Sequence, residues 1–113
     1  MRWRVTVRHF SDVDKRTLDT LEEALAEARR RGAEILGESR LGTVSAFRDF
    51  TPDKRVQARI EISGKRALRG PEAGFDIMGD GTIVPYRGAI VKRPMEAVSL
   101  DEAIERLREA LDR

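Results

Sequence analysis

Alternation between apolar and polar positions is the most regular pattern in this chain, and it predicts several β-strands. In the segment 2–10, Trp3, Val5 and Val7 fall on one side of an extended chain, and arginines fall on the other. Segment 55–63 repeats the pattern, with apolar residues at every second position. The complete set of predicted strands is 2–10, 43–50, 55–63, 75–78 and a return strand from Thr82 that Pro85 interrupts.

Polar and glycine-rich segments separate the predicted strands. We predict a loop at 11–17, where every residue except Val13 is polar. Pro52 favours a tight turn between the second and third strands, and Gly79, Asp80 and Gly81 favour another before the return strand. The basic segment 64–74 is predicted to be a longer loop.

Two amphipathic helices are predicted, each starting at a capping box. Thr20 with Glu23 opens the first helix, and Ser99 with Glu102 opens the second, near the end of the chain. The apolar period of the first helix continues past Gly32 to about Leu36. We therefore extend the helix to Leu36 and expect Gly37 to terminate it, although an end at Gly32 stays open.

These elements predict a single α+β domain over residues 1–113, with the order β-α-β-β-β-β-α. Each helix has one apolar stripe and each strand has one apolar face. The arrangement that buries both is a two-layer sandwich, with a mixed, mainly antiparallel sheet of four to five strands and both helices on one of its faces.

Composition limits where such a domain works. The chain has 113 residues and no cysteine, so disulfides and thiolate metal sites are excluded. It has no apolar run of signal-peptide or membrane-spanning length. We expect a soluble, cytoplasmic protein with no membrane partner.

Charge is abundant but nearly balanced, with 22 basic and 20 acidic residues. Any recognition of an anion must therefore come from local clustering rather than from net charge. If the helices cover the apolar side of the sheet, the other side carries arginines and one aromatic ring. The candidate residues for an anionic partner on that side are Arg4, Arg8, Phe47, Arg55 and Arg59, and the adjoining basic loop adds Lys65, Arg66 and Arg69.

No motif in the chain indicates catalysis. The single histidine, His9, has Asp12 and Asp14 nearby, but we interpret it as a structural histidine because metal sites need more ligands. Asp76 and Asp80 lack the spacing of a calcium loop, and no glycine segment has the pattern of a phosphate-binding loop. We expect no catalytic residue, no metal and no cofactor.

The sequence thus favours a small, non-enzymatic binding or regulatory module that acts by protein association, as a homodimer. The first alternative is binding of single-stranded nucleic acid, RNA in particular, through the arginine-bearing face. The second alternative is a small metal-dependent hydrolase with an acidic site. The remaining interpretation is that the arginine-bearing face only keeps the protein in solution.

Overall fold

The computed structural model describes residues 2–42, 56–65, 72–88, 93–94, 96 and 98–112. N-terminal capping and the helical period of apolar residues account for the helices. Alternation of apolar and polar residues accounts for the inner strands. The strands are β1 (Arg2–His9), β2 (Asp12–Leu18), β3 (Val56–Lys65), β4 (Glu72–Met78), β5 (Ile83–Arg87) and β6 (Arg93–Pro94), and the helices are α1 (Leu21–Gly42) and α2 (Leu100–Leu111).

The strands form one sheet in the order β2-β1-β3-β4-β5-β6, and each of these pairings is antiparallel. Both helices pack against the same face of the sheet, α1 over β1 and β3 and α2 over β4 and β5. The predicted α+β fold and, in outline, its order of elements are confirmed. The predicted strand at 43–50 and the turn after it lie outside the described residues.

The core lies between the helices and one face of the sheet. On β1 and β3 its residues are inward positions that follow from the alternation of apolar side chains. Val56, which the same alternation places inward, is instead 46% exposed, because the register of β3 with β4 shifts between Val56 and Ala58. The core residues that are at most 3% exposed include Val5, Val7, Ala24, Leu25, Ala28, Ile35, Ala58, Ile60, Ile62, Phe75, Ile77, Ala103, Leu107 and Leu111. Burial of this apolar area supplies most of the stabilisation of the domain.

The predicted loop at 11–17 is wrong, because most of this segment is strand β2. This strand lies at the edge of the sheet and is exposed along most of its length. β2 does not need an apolar face, because α1 contacts the helix-facing side of β2 through two ion pairs. These are Arg31–Asp14 (2.5 Å) and Arg16–Glu27 (3.6 Å). Charged side chains also protect a sheet edge from pairing with other chains.

The predicted end of α1 at Gly37 is also wrong, because the helix continues to Gly42. Gly37 is exposed, and a Cβ placed there would meet nothing within 4 Å. Gly32 lies inside the helix, where a Cβ would be 3.0 Å from Leu100 Cδ1 and 3.2 Å from Phe75 Cζ. Glycine at this position lets α1 approach the sheet and the start of α2.

The capping box is complete at α1, and at α2 the N-cap serine forms its half of the box. The Glu23 amide donates to Thr20 Oγ1 (3.1 Å), and the Thr20 amide donates to Glu23 Oε1 (3.2 Å). At α2, the Glu102 amide donates to the Ser99 hydroxyl (3.2 Å). Within the described ranges, neither helix has the length and apolar character needed to cross a membrane.

The glycine turn between β4 and β5 forms as predicted. The Met78 amide donates to the Thr82 carbonyl (2.8 Å), and Gly81 has a φ of 90°. The Asp80 carboxylate accepts from the Thr82 amide (2.9 Å), and hydrogen bonding to Thr82 lowers the pKa of Asp80. This carboxylate thus stabilises the turn.

Candidate binding face

The sheet face opposite the helices, called the open face below, is built by strand register. On β1 it carries Arg4, Thr6 and Arg8, because Trp3, Val5 and Val7 alternate with them into the core. Directly opposed residues of an antiparallel pair point to the same side. The register therefore adds Val13, Lys15 and Thr17 from β2 and Arg59, Glu61 and Ser63 from β3.

The structure brings together three of the residues that the sequence indicated for this face. Arg4, Arg8 and Arg59 occupy the open face, with Arg8 and Arg59 directly opposed. Lys65 lies at the end of β3 in register with Arg2. Four further candidates, Phe47, Arg55, Arg66 and Arg69, lie outside the described residues.

Arg59 differs from the other cations because it already has a carboxylate partner. Its Nε donates to Asp76 Oδ1 (2.6 Å) and its Nη2 donates to Asp76 Oδ2 (3.0 Å), a bidentate pair between β3 and β4. Its guanidinium also lies 5.4 Å from the centre of the Tyr86 ring. Both contacts hold Arg59 in place, so less of its charge is open to a partner.

Tyr86 is buried although it belongs to the open face. It is opposite Gly74 on β4, and a Cβ on Gly74 would lie 2.8 Å from Tyr86 Cζ. The ring therefore covers the glycine, the arrangement in which an aromatic side chain shields a glycine on a neighbouring strand. Burial, and next the charge of Glu61, raise the pKa of Tyr86 far above its ordinary value, so its hydroxyl stays neutral.

Three cations on the edge strand β2 and its neighbour β1 form what we call the cationic strip: Arg4, Arg8 and Lys15. Among the residues that the structure describes, no carboxylate lies within ion-pair distance of any of them. Thr6, which is 7% exposed, lies between Arg4 and Arg8 and opposite Lys15, so the three cations surround it on one face of the sheet. Lys15 was not foreseen, because the sequence was interpreted as a loop there.

Cations on the helix side of the sheet differ from the cationic strip in how often they pair with a carboxylate. The side chains there that pair with a described carboxylate are Arg16, Arg29, Arg30, Arg31 and Arg108. Arg87 on β5 and Arg106 on α2 are exceptions among the described side chains of this side. In the described part of the chain, most arginines on the helix side thus have a carboxylate partner, whereas on the open face Arg59 has one and the cationic strip has none.

Phe10 is a further site residue that the sequence analysis missed. It is 79% exposed and is the single non-glycine residue of the described chain with a positive φ, 56°. Phe10 and Ser11 form a two-residue turn between the paired His9 and Asp12, and glycine is favoured at such a position. A left-handed phenylalanine costs about 1 kcal/mol or more. Recognition of β2 as a strand would have revealed this turn.

The Phe10 ring borders a concavity on the open face. One side of the ring stacks on His9, with centroids 4.7 Å apart and planes 25° apart. The concavity has a volume of about 300 Å³, at the small end of the range for ligand sites. It is lined by Arg8, Phe10, Val56, Gln57, Ala58 and Arg59.

The acidic residues considered for metal binding are not gathered into a site. His9 is opposite Asp12 at the end of the β1–β2 hairpin, whereas Asp14 pairs with Arg31. Across the described segments, no group of three or more histidine or carboxylate side chains is placed to hold a metal ion. The open face therefore offers charge and an aromatic ring, which are means of binding.

Comparison of the chain with protein-family models, with curated proteins and with solved structures gives no match. No function can thus be transferred from a relative. The open face itself offers three features for binding: cations without a partner among the described carboxylates, an exposed ring and a concavity.

Proposed function

We propose that this chain is a non-enzymatic binding module that recognises an anionic partner through the cationic strip. The observation that carries the proposal is the unequal pairing of the cations. Arg4, Arg8 and Lys15 have no carboxylate partner in the described chain, whereas most arginines on the helix side have one. A surface whose positive charges are left unneutralised gains most from an anionic partner.

The spacing of the strip favours an extended partner. Arg8 is four positions after Arg4, which corresponds to about 13 Å along a strand. Lys15 lies between them on the adjacent strand, because it is opposite Thr6. A chain with repeated negative charges can contact all three cations, whereas a small anion can contact only one or two.

Binding of a labelled single-stranded octanucleotide at different salt concentrations tests this proposal. If three cations contact phosphates, log K should fall against log salt with a slope of about −2, since each contact contributes about −0.7. An acidic peptide, poly-glutamate, serves as a second polyanion. Absence of binding to both probes at low salt, or binding that does not depend on salt, would contradict the proposal.

Self-association is a second candidate, supported by the charge on the other half of the open face. Strand β3 contributes Glu61 to this half, and β4 contributes Asp76, which is paired with Arg59. In a two-fold pairing of two open faces, the cationic strip of one copy would meet this acidic half of the other. The exposed apolar residues Phe10, Val13 and Val56 would be covered in the same contact.

Light scattering after size-exclusion chromatography distinguishes this candidate from the first. A homodimer formed through opposite charges should be present at tens of micromolar protein in low salt and should dissociate as salt is added. A monomer under both conditions would rule out the homodimer and leave binding of a different anionic partner as the function.

A further inference from the structure

The conformation of Phe10 is not explained by the stability of the fold. Its backbone is left-handed, which glycine adopts without strain, and its side chain is 79% exposed. Strain that persists at an exposed position is a pointer to function. The exposed ring is therefore the part of the open face that most needs a partner.

The surroundings of the ring define what it can bind. His9 covers one face of the ring, at a centroid distance of 4.7 Å. The rest of the ring is open and borders the concavity of about 300 Å³, where Arg8 contributes its unpaired guanidinium. A flat π surface beside an unpaired cation suits a flat, electron-rich group that carries a negative charge next to it.

We infer that this concavity binds one nucleotide of a single-stranded nucleic acid, with the base stacked on Phe10 and a phosphate at Arg8. The inference rests on the proposed function, because the remaining phosphates would follow the cationic strip to Lys15 and Arg4. The base would extend the stack that His9 and Phe10 begin. Single-stranded nucleic-acid binders combine these same two means, a charged track and an aromatic platform.

An acidic protein segment would use less of this surface than a nucleotide would. Carboxylates would pair with Arg4, Arg8 and Lys15, but they would not use the open face of the Phe10 ring. A nucleotide uses both the ring and the charge at once, and each base presents a π surface whatever its identity. The structure therefore favours a nucleic acid of little sequence preference.

The test compares a single-stranded octanucleotide with an abasic strand of the same length and charge. The wild-type chain should bind the base-containing strand on the order of 10-fold more tightly, as expected for one stacked base. Phe10→Gly should remove this difference while leaving the affinity for the abasic strand and the salt slope unchanged. Ala33→Ser, an exposed change on α1 and away from the open face, is the control and should keep the difference.

The outcomes separate the inference from the proposed function. Equal binding of the two strands by the wild-type chain would overturn the stacking inference and leave the anion-binding function standing. Tighter binding of poly-glutamate than of either strand would assign the face to an acidic protein. Binding of no polyanion would overturn both. Circular dichroism should show that Phe10→Gly is folded, since glycine suits this turn.

Discussion

Replacing Gly74 by alanine is expected to lower the free energy of unfolding by about 3 kcal/mol, the upper range for overpacking a tightly packed site. The added Cβ would lie 2.4 Å from the Ile60 carbonyl oxygen, 2.6 Å from Tyr86 Oη and 2.8 Å from Tyr86 Cζ. The first contact is with backbone of the neighbouring strand β3, so a change of rotamer cannot relieve it. Gly74 has no positive φ, so the expected effect is steric and not conformational.

Gly37→Ala is the matched control and should have the opposite sign. Gly37 lies inside α1, is exposed, and has nothing within 4 Å of an added Cβ. Alanine in a helix interior is favoured over glycine by about 1 kcal/mol, so the control should be stabilised. Urea denaturation of both variants measures the two changes. A stable Gly74→Ala variant would mean that the Tyr86 ring does not cover this position.

Substitution of Gly74 would also affect the open face. Tyr86 reaches across β4 because Gly74 has no side chain, and its ring then lies beside the Arg59 guanidinium. Asp76 holds the same guanidinium from β4. Arg59 lines the concavity, so a displaced Tyr86 should affect the binding surface as well as the stability.

The helices and the buried faces of the strands could be predicted from the sequence because local chemistry determines them. The capping boxes at Thr20 and Ser99 mark both helix starts. The alternation in β1 and β3 separates the buried Val5 and Ile60 from the open-face arginines. Neither inference requires knowledge of which strands are neighbours.

The edge strand and the end of α1 could not be predicted in the same way. β2 has no apolar face, because ion pairs from Arg16 and Arg31 take the place of hydrophobic contact with α1. Glycine commonly terminates a helix, yet the chain stays helical through Gly37, because nothing near this residue requires a left-handed backbone. Tertiary contacts with α1 account for β2, whereas at Gly37 the helix continues without any such contact.

The candidate site was predictable only in part for a related reason. Arg4, Arg8 and Arg59 follow from alternation, but the pairing of Arg59 with Asp76 depends on the register between β3 and β4. Lys15 and Phe10 depend on the existence of β2. Register and pairing between strands are set by the whole sheet, and periodicity alone does not contain them.

Reversing two charges of the cationic strip should have the largest effect on function. The double variant Arg4→Glu and Arg8→Glu removes two of the three unpaired cations from the open face. At about 20 mM salt, loss of two phosphate contacts should weaken binding of a single strand on the order of 100-fold, and the salt slope should fall to about −0.7. Because Arg4 and Arg8 have no partner among the described carboxylates, the fold should lose little stability.

A control variant with the same change in net charge distinguishes the contribution of the cationic strip to binding from that of the protein's overall electrostatic field. Arg29→Glu and Arg106→Glu place the reversals on the exposed surfaces of α1 and α2, away from the open face. Arg29 loses a surface pair with Asp101 that is expected to contribute little. This control should keep most of the affinity of the wild-type chain for the single strand.

The most direct measurement is the dissociation constant of a labelled single-stranded octanucleotide for the wild-type chain and both double variants in the same low-salt buffer. Recognition through the open face predicts a loss on the order of 100-fold for the β1 variant and a loss of only a few-fold for the helix variant. Equal losses in the two variants would show that net charge alone attracts the strand. An unchanged affinity of the β1 variant would place the binding surface elsewhere on the chain.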